Sequence, residues 1–534
     1  LPLLLMGLTL TILLVLALWN LRSDRQVASS ITEDGYLALT ITRNIALGRG
    51  VSADGEHLTN GFQPLIVFLR TPFYLPYAED RYTPLRWVFA LDLLMLVISA
   101  GLLGLIVRDG LALRDERERR TIFWLSAFLM ISSVFVWLQY FNGLETGLVI
   151  LLYLACWRWY QTRGAANVGA ALGLGVLFGF LILARIDSGV VMAVFLLFLL
   201  IAAVRKGNWR GGLRSAVLVA LPALLISSPW WIFNQTQFGS VMPISGQVLT
   251  EGGSSIHRTL WTERVGYAID AVLQAGLPAI YARDFAGDLP NVLGVSALLL
   301  VLAGLWAARL PIVLMLGAVT MWKRKSLFVS QSDDEPADAL LKRERTLFFA
   351  LCLLTGMIAL VIWYTLRLYS FWYYPRYFAP LLLISLPLAA CVGLLLYRRL
   401  PILLFILITT LAGFAFIFAL ATLAGRTLDY RFMTLVDMVE ANTPPDAPVA
   451  AWETGTLGYF RDGVINLDGK VNADVIPYVG SPWEYLNNAD IRYVAWFHEA
   501  TMPPVLIAFG EHIEADGWGV IAEIPFKGYT LLGR

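Results

Sequence analysis

Charged residues are scarce in this sequence. Lys, Arg, Asp and Glu make up 15% of its 534 residues, where a soluble globular domain carries roughly a quarter. Apolar residues reach 58% and the mean hydropathy is +0.67, which excludes an ordinary soluble fold. A net charge of +1 leaves no bulk electrostatic attraction for nucleic acid. Cysteine is nearly absent: Cys156, Cys352 and Cys391 sit inside apolar runs, lack metal-ligand spacing and read as buried packing residues. The 4 histidines are scattered and form no HExxH or similar metal motif. No Walker loop, dinucleotide fingerprint or soluble nucleotide-sugar domain is present.

What the chain does have is a series of apolar runs of about 20 residues, the length that crosses a bilayer as a helix. A membrane β-barrel would show ~10-residue alternating segments instead. The fold class expected is a polytopic α-helical membrane protein of about eleven helices. They run roughly over Leu3–Leu18, Trp87–Val107, Thr121–Gln139, Gly147–Trp159, Gly169–Ala184, Gly189–Val204, Ser215–Phe233, Val292–Ala308, Leu347–Tyr364, Phe378–Tyr397 and Ile402–Leu423. The first run is too long for a signal h-region and lacks a small-residue cleavage site, so it reads as a retained helix, although the chain opens on Leu1 rather than Met. Every even-numbered helix is followed by a basic loop: Arg108–Arg120, Arg158–Arg163, Arg205–Arg214, Lys323–Arg345 and Arg398–Arg399. By the positive-inside rule these loops and the N-terminus are cytoplasmic. The apolar run from Val292 continues past Pro311 to Trp322, and reads as a span followed by a Pro-bent interfacial helix.

This topology makes residues 1–424 a membrane domain with two large extracytoplasmic loops, 20–86 and 234–289. Residues 425–534 alternate helix-like and strand-like pieces and read as a small α/β extracytoplasmic domain. Met433–Ala441 is the expected helix, and Val449–Trp452, Val464–Leu467, Ile491–Phe497 and Gly519–Ile524 the expected strands. In the first loop, Asp34 reads as the N-cap of a helix over Gly35–Leu47 ended by Gly48 and Gly50. Leu37, Ile41 and Ile45 recur every four residues, the pattern of an interfacial helix lying on the bilayer. A second piece, Leu65–Tyr77, is interrupted by Pro72 and Pro76 and is too short to span.

Several polar groups fall on the same expected side. The pair Glu33-Asp34 is either a cap plus a solvated acid or a general base at the membrane edge. In Trp372-Tyr373-Tyr374-Pro375-Arg376-Tyr377, the aromatics suit an interfacial belt. Arg376 is either a snorkelling side chain or a phosphate ligand, and Arg367 is a second candidate for that charge. Arg185 and Asp187 either pair with each other or line a site. Glu145, in Asn142-Gly143-Leu144-Glu145-Thr146, opens a helix, where a carboxylate favours the dipole. Asp92 lies inside the second helix, where an acid is either functional or close enough to the surface to be solvated. Ser245 and Gln247 either contact sugar or phosphate or pack the loop after the seventh helix. Asn234-Gln235-Thr236 matches a glycosylation acceptor, a weak pattern. Asn466–Asn472 reads first as a turn and second as an acceptor contact. Without a nucleotide-sugar domain, a transferase built on this chain has to take a lipid-borne donor.

This layout resembles the GT-C superfamily of integral membrane glycosyltransferases, which includes protein O-mannosyltransferases, aminoarabinose transferases acting on lipid A and arabinofuranosyltransferases. The resemblance rests on Glu33-Asp34, the string Gly35–Gly50, Thr59-Asn60-Gly61-Phe62-Gln63-Pro64-Leu65, Asn142–Thr146, Ala184–Asp187 and Tyr374–Tyr377. Gly455–Phe460 and Asn466–Gly469 also resemble the outer domain of bacterial members. It implies Asp34 as catalytic base, with Glu33 as alternate or helper, and a polyprenyl-phosphate sugar as donor. Arg376, Tyr374, Arg185 and Arg367 would bind the donor's phosphate and lipid. Glu145, Asp187, Asn60, Gln63 and Gln247 would line the site or meet the acceptor, an extracytoplasmic glycan, lipid or protein. No metal ligand is assigned, and one branch of the superfamily leaves a divalent metal, Mg or Mn, open as cofactor. The implied location is the plasma (inner) membrane. A transporter or flippase of a lipid-linked sugar is the alternative; it calls for inverted repeats and broken helices, and no repeat is visible here. A non-catalytic scaffold is the third reading.

Overall fold

The computed structural model describes residues 2–251, 261–276, 337–368, 373–423, 431–478, 482–497, 517–524 and 529–534. Among these, five helices are long and apolar enough to cross a membrane: Thr83–Gly110, Ser188–Arg205, Trp209–Phe238, Ala337–Arg367 and Tyr374–Arg399. Shorter apolar helices run over Leu5–Trp19, Val168–Ala184 and Pro401–Gly413. The apolar side chains they leave exposed, such as Leu213, Val217, Leu221 and Leu225 on one helix, suit contact with lipid. The expected span Val292–Ala308 and the bent helix after it lie outside the described residues.

The helix expected over Thr121–Gln139 is broken. It runs as Glu116–Ile131 and Val134–Tyr140, bent by 64°. The break falls at Ser132-Ser133, where the Ser133 hydroxyl accepts from Val136 N (3.3 Å) and starts a new helix. A serine side chain offers the backbone a partner that competes with the helical ladder.

The helix ends sort into two groups. At one end, Arg108 (2.7 Å) and Arg158 (2.7 Å) pair with Asp109. Arg398 pairs with Glu118 at 2.5 Å, and Arg345 donates to the carbonyls of Gln161 and Thr162. Arg108, Arg158, Arg345 and Arg398, each from a different expected basic loop, thus lie at the same helix ends. The opposite ends meet the first loop and the C-terminal residues.

Those C-terminal residues form a mixed five-stranded sheet in the order β2-β1-β3-β5-β4. The strands are β1 Val449–Ala451, β2 Val464–Asn466, β3 Tyr493–Phe497, β4 Gly519–Ile524 and β5 Tyr529–Gly533. β1 pairs in parallel with β2 and β3, whereas β5 runs antiparallel to β3 and β4. β5 is not among the expected strands, yet it sits inside the sheet with Tyr529, Leu531 and Leu532 buried. The helix Arg431–Asn442 packs Leu435, Val436 and Val439 against one sheet face.

The first loop departs from expectation in two ways. Thr32, not Asp34, is the N-cap of the helix Glu33–Ala46: its hydroxyl accepts from Gly35 N, leaving both acids in the first turn. The helix is not laid on a surface by one apolar face. It is buried on every side from Gly35 to Asn44, between the helix Pro64–Tyr74 and the C-terminal helix Gly455–Phe460. The Leu37/Ile41/Ile45 stripe therefore meets protein, and the polar face is covered by the C-terminal domain. Arg43, on that face, pairs with Asp462 at 2.8 Å, and Arg49 (3.1 Å) and Arg81 (3.0 Å) reach the same carboxylate. Although burial pushes the Asp462 carboxyl up, Arg81 and Arg43 bring it down to about 2.

Candidate active site at the capped face of the membrane domain

The start of the helix Glu33–Ala46 is pinned to the turn at Asn142. Both the backbone N–H and the hydroxyl of Thr32 donate to the Asn142 carbonyl, at 3.0 and 2.9 Å. That turn is itself held by a buried arginine from the first loop. Arg70 donates to the Gly143 carbonyl at 2.5 Å and ion-pairs with Asp92 at 2.8 Å. Asp92 is thus neither solvated nor in the site. It is a buried partner that fixes Arg70, which fixes the turn.

The two adjacent acids separate in role. Glu33 turns toward the C-terminal domain. Its carboxylate accepts from Gly455 N, from Thr456 N (3.1 and 3.0 Å) and from the Thr456 hydroxyl (2.5 Å). It thereby caps the helix Gly455–Phe460, whose orphan N–H groups need acceptors. Only glycine fits at 455: a Cβ there would lie 1.9 Å from the Glu33 carbonyl oxygen.

Asp34 faces the other way, into a group of cations and aromatic rings. Arg376 Nη1 lies 3.1 Å from Asp34 Oδ2, and Lys470 Nζ lies 3.8 Å from Asp34 Oδ1. Asp34, Arg376 and Lys470 keep 21%, 18% and 19% of their side-chain surface exposed, so the group is open to a ligand. The Arg376 guanidinium stands 4.5 Å over the Tyr373 ring and 5.2 Å over Tyr377. Its Nε is buried, with no hydrogen-bond partner among the described residues. Behind it, Arg185 is buried, donates to the Arg376 carbonyl (3.1 Å) and lies 4.1 Å over Tyr377. Arg185 pairs with Asp187 (3.0 Å) and stands 4.0 Å from Glu145. Tyr364 donates to Asp187 (2.6 Å) and stacks on Tyr377 (4.5 Å).

Burial pushes the Asp34 carboxyl up, but the charges of Lys470 and Arg376 outweigh it and hold the carboxylate below its ordinary range. Burial pushes Glu33 up to about 7, against the hydrogen bonds from Thr456 and Gly455. Glu453, on the loop after β1, is raised to about 8 by burial against the pull of Lys470. Burial lowers Lys470, but Asp468 and its other neighbours keep its ammonium well above the ordinary value. Of these three carboxyl groups, Glu33 and Glu453 are pushed up, and Asp34 is the one held charged.

Asp34, Arg376, Arg185, Glu145 and Asp187 lie in one linked group. Tyr374 is buried, and its hydroxyl donates to the Leu368 carbonyl (2.8 Å), anchoring the segment that carries Arg376. Arg367 is exposed and lies 5.6 Å over the Trp363 ring, away from the group. Asn60 accepts from Ile244 N (3.0 Å) and ties the first loop to the helix Ile244–Glu251. Gln63 precedes the helix Pro64–Tyr74 without capping it by its side chain. Gln247 donates to the Met242 carbonyl (2.9 Å). Asn234 is buried in a helix and donates to the Val241 carbonyl (3.1 Å), an arrangement unlike that of a glycosylation acceptor. Sequence reasoning missed Lys470 as a charge partner of Asp34 and Arg70 as the support of the Asn142 turn. Lys470 stands in a stretch already marked as polar, Asn466–Asn472, but nothing local aims it at Asp34. Among the described residues no group of three or more His, Cys, Asp or Glu is suited to hold a metal ion.

Residues 423–533 match a family described as a domain of unknown function, DUF8728. A sequence search finds no match among curated proteins. Solved structures match over nearly the whole chain. ArnT from Cupriavidus metallidurans bound to undecaprenyl phosphate is 13% identical, with 98% of this chain and 97% of that one covered at a TM-score of 0.51. An Archaeoglobus fulgidus oligosaccharyltransferase in complex with Zn and sulfate is 15% identical, with 92% of this chain and 68% of that one covered at a TM-score of 0.51. Identities this low carry the likeness of fold. The chain is a multi-pass membrane protein that shares the fold of these two solved proteins.

Proposed function

We propose that the chain is an inverting membrane glycosyltransferase that moves a sugar from a polyprenyl-phosphate donor to an acceptor hydroxyl, with Asp34 as general base. The observation that supports this most is the Asp34–Arg376 pair, 3.1 Å apart and partly open at the end of the spanning helices. An arginine can hold a phosphate bidentately, and a carboxylate beside it can take a proton. The unpartnered Nε of Arg376 gives a phosphoryl oxygen a further donor to meet. ArnT, of the same fold, has been solved with undecaprenyl phosphate bound, and that ligand class is carried to this chain as part of the proposal.

In the step proposed, the donor phosphate takes the Arg376 guanidinium and frees Asp34 Oδ2. The acceptor hydroxyl gives its proton to that oxygen, and its own oxygen bonds to the anomeric carbon. The bond from that carbon to the phosphate oxygen breaks, and the electron pair leaves with the polyprenyl phosphate. Arg376 stabilises the charge that develops there. Attack opposite the leaving group inverts the anomeric centre. Arg185, Glu145, Asp187 and Tyr377 form the wall that holds Arg376, and Glu33 serves the neighbouring helix cap. No step is routed through a metal.

The positive-inside rule supports a cytoplasmic location for the basic end and, in this reading, an extracytoplasmic one for the site and the C-terminal domain. The apolar helices beyond the five long ones would supply further spans toward the eleven read in the sequence. Transfer from lipid-linked sugars by the purified protein tests the reading. Asp34→Asn is expected to lower turnover by about 10²–10⁴-fold, the usual worth of a general base. A folded Asp34→Asn protein with wild-type turnover would overturn it.

A further inference from the structure

We propose that Lys470 is a positioning residue for the base: the C-terminal domain lends its ammonium to Asp34 Oδ1, so that the carboxylate stays oriented and charged after the donor phosphate has taken Arg376 from Oδ2. The inference rests on the reading above and assigns a task in it to a domain of unknown function.

The geometry divides one carboxylate between two cations. Arg376 Nη1 stands 3.1 Å from Oδ2 and Lys470 Nζ 3.8 Å from Oδ1. The donor phosphodiester carries one negative charge shared by two non-bridging oxygens, which a guanidinium holds bidentately, whereas Asp34 meets Arg376 through one oxygen, so the donor can draw the guanidinium away. Once it binds, Asp34 faces a new anion and has lost its closer cation. A part-buried carboxylate in that position reverts to the neutral acid, which cannot act as a base. Lys470 is what prevents this, because it approaches the oxygen that Arg376 does not use.

Lys470 is held for this by its own domain. Its ammonium pairs with Asp468 at 2.9 Å, and its backbone N–H donates to the same carboxylate at 2.8 Å. Gly469, at φ 77°, turns the chain between them, and its N–H donates to Asn466 at the end of β2 (3.0 Å). Asn466 in turn accepts from Asn472 (3.0 Å) through its carbonyl and donates to Thr454 (3.0 Å). The loop is pressed onto the membrane domain at Gly61, where a Cβ would lie 1.7 Å from the Lys470 carbonyl oxygen. The groups that act on Asp34 are thus Lys470 from the C-terminal domain, Arg376 and Tyr373 from the segment before the helix Leu382–Arg399, and the acids Glu33 and Glu453, while Asp468 holds Lys470. Burial opposes ionisation of the Asp34 carboxyl, and the charge of Lys470 acts against it alongside the charge and hydrogen bond of Arg376.

The test uses the full-length protein with Lys470→Met and Lys470→Arg, reading pH profiles and binding of sugar-free polyprenyl phosphate. The pH dependence of kcat/KM reports the free enzyme and that of kcat the donor complex. In Lys470→Met the acidic limb should rise by about one pH unit or more. The rise should be larger in kcat, where Lys470 is the remaining cation, than in kcat/KM. Lys470→Arg should restore the limb, and polyprenyl phosphate should bind Lys470→Met within about 3-fold of wild type. An acidic limb that stays in place while turnover falls would reduce Lys470 to a structural contact. A loss of polyprenyl phosphate binding as large as in Arg376→Ala would make it a phosphate ligand, which also overturns the proposal. Should Lys470→Met fail to fold, Lys470→Gln carries the same measurements with a polar, uncharged side chain of methionine's length. Full turnover in Asp34→Asn sinks the glycosyltransferase reading itself. An inactive Asp34→Asn together with an unmoved limb sinks the role of Lys470 alone.

Discussion

At Arg376 one guanidinium is counter-ion to Asp34 in the structure and, in the proposed function, clamp to a phosphate. Arg376→Ala removes both. Truncating one partner of a close charge pair costs about 2–5 kcal/mol, so the donor KM should rise by roughly 30-fold or more. Arg376→Lys should recover only part of this, because an ammonium is a point charge without the planar fork. Titrating donor concentration in the transfer assay checks both. Glu453 makes a different prediction. Its folded pKa of about 8 lies above the ordinary 4.5, so the folded protein binds more protons than the unfolded chain between those values. Stability contributed by the neutral form is therefore full below about pH 4.5 and lost as pH rises toward 8. Melting curves from pH 5 to 8 should show a falling Tm, and Glu453→Gln should flatten that fall. An equal fall in the variant would contradict the assignment. At this scale the acids and Arg376 were legible because acids and arginines are conspicuous in an apolar sequence. Lys470 and Arg70 were not, because a cation's partner is fixed by how distant segments pack, and no local spacing records it.

The helix Glu33–Ala46 shows what periodicity can and cannot give at the scale of an element. A four-residue apolar recurrence marks one buried face. It is silent on whether the polar face meets water or another domain, and here Arg43 on that face is buried against Asp462. The same limit hid β5, a five-residue strand whose partners lie elsewhere in the chain. The bend at Ser132-Ser133 was masked by the hydrophobic run on either side of it. The pair Arg70–Asp92 supports a prediction at this scale. Removing one member leaves an uncompensated buried charge, so Arg70→Met should cost about 3–5 kcal/mol, and Arg70→Met with Asp92→Leu should recover much of it. Activity should stay low in the double variant, because the Gly143 carbonyl has lost its 2.5 Å donor and the turn that pins Thr32 is loosened. Melting in detergent alongside turnover separates the two effects. Recovery of both would show the pair to be structural alone.

Across the described residues, the contacts that join the sheet domain to the first loop include the Glu33 cap, the arginines around Asp462, the Tyr74–Tyr459 hydroxyls and the Gly61–Lys470 contact. The active face proposed here is assembled from both parts. The helical membrane class and five of the eleven expected spans could be read from hydropathy, which is a sum over many residues and tolerates local error. The joint between the domains could not, because it consists of single polar contacts. Orientation has its own test. Glu56 and Lys206 are exposed on opposite sides of the expected membrane. A cysteine at position 56 should react with an impermeant maleimide on intact cells, and one at 206 only after permeabilisation; the reverse pattern would invert the topology. The account as a whole turns on one site holding both the base and the donor's phosphate. A structure of the protein with polyprenyl phosphate in a lipid nanodisc measures this most directly. The account predicts phosphate density within hydrogen-bond reach of the Arg376 guanidinium, with the Asp34 carboxylate beside it and no longer paired to Arg376. A phosphate bound elsewhere, with the Asp34–Arg376 pair intact, would contradict it.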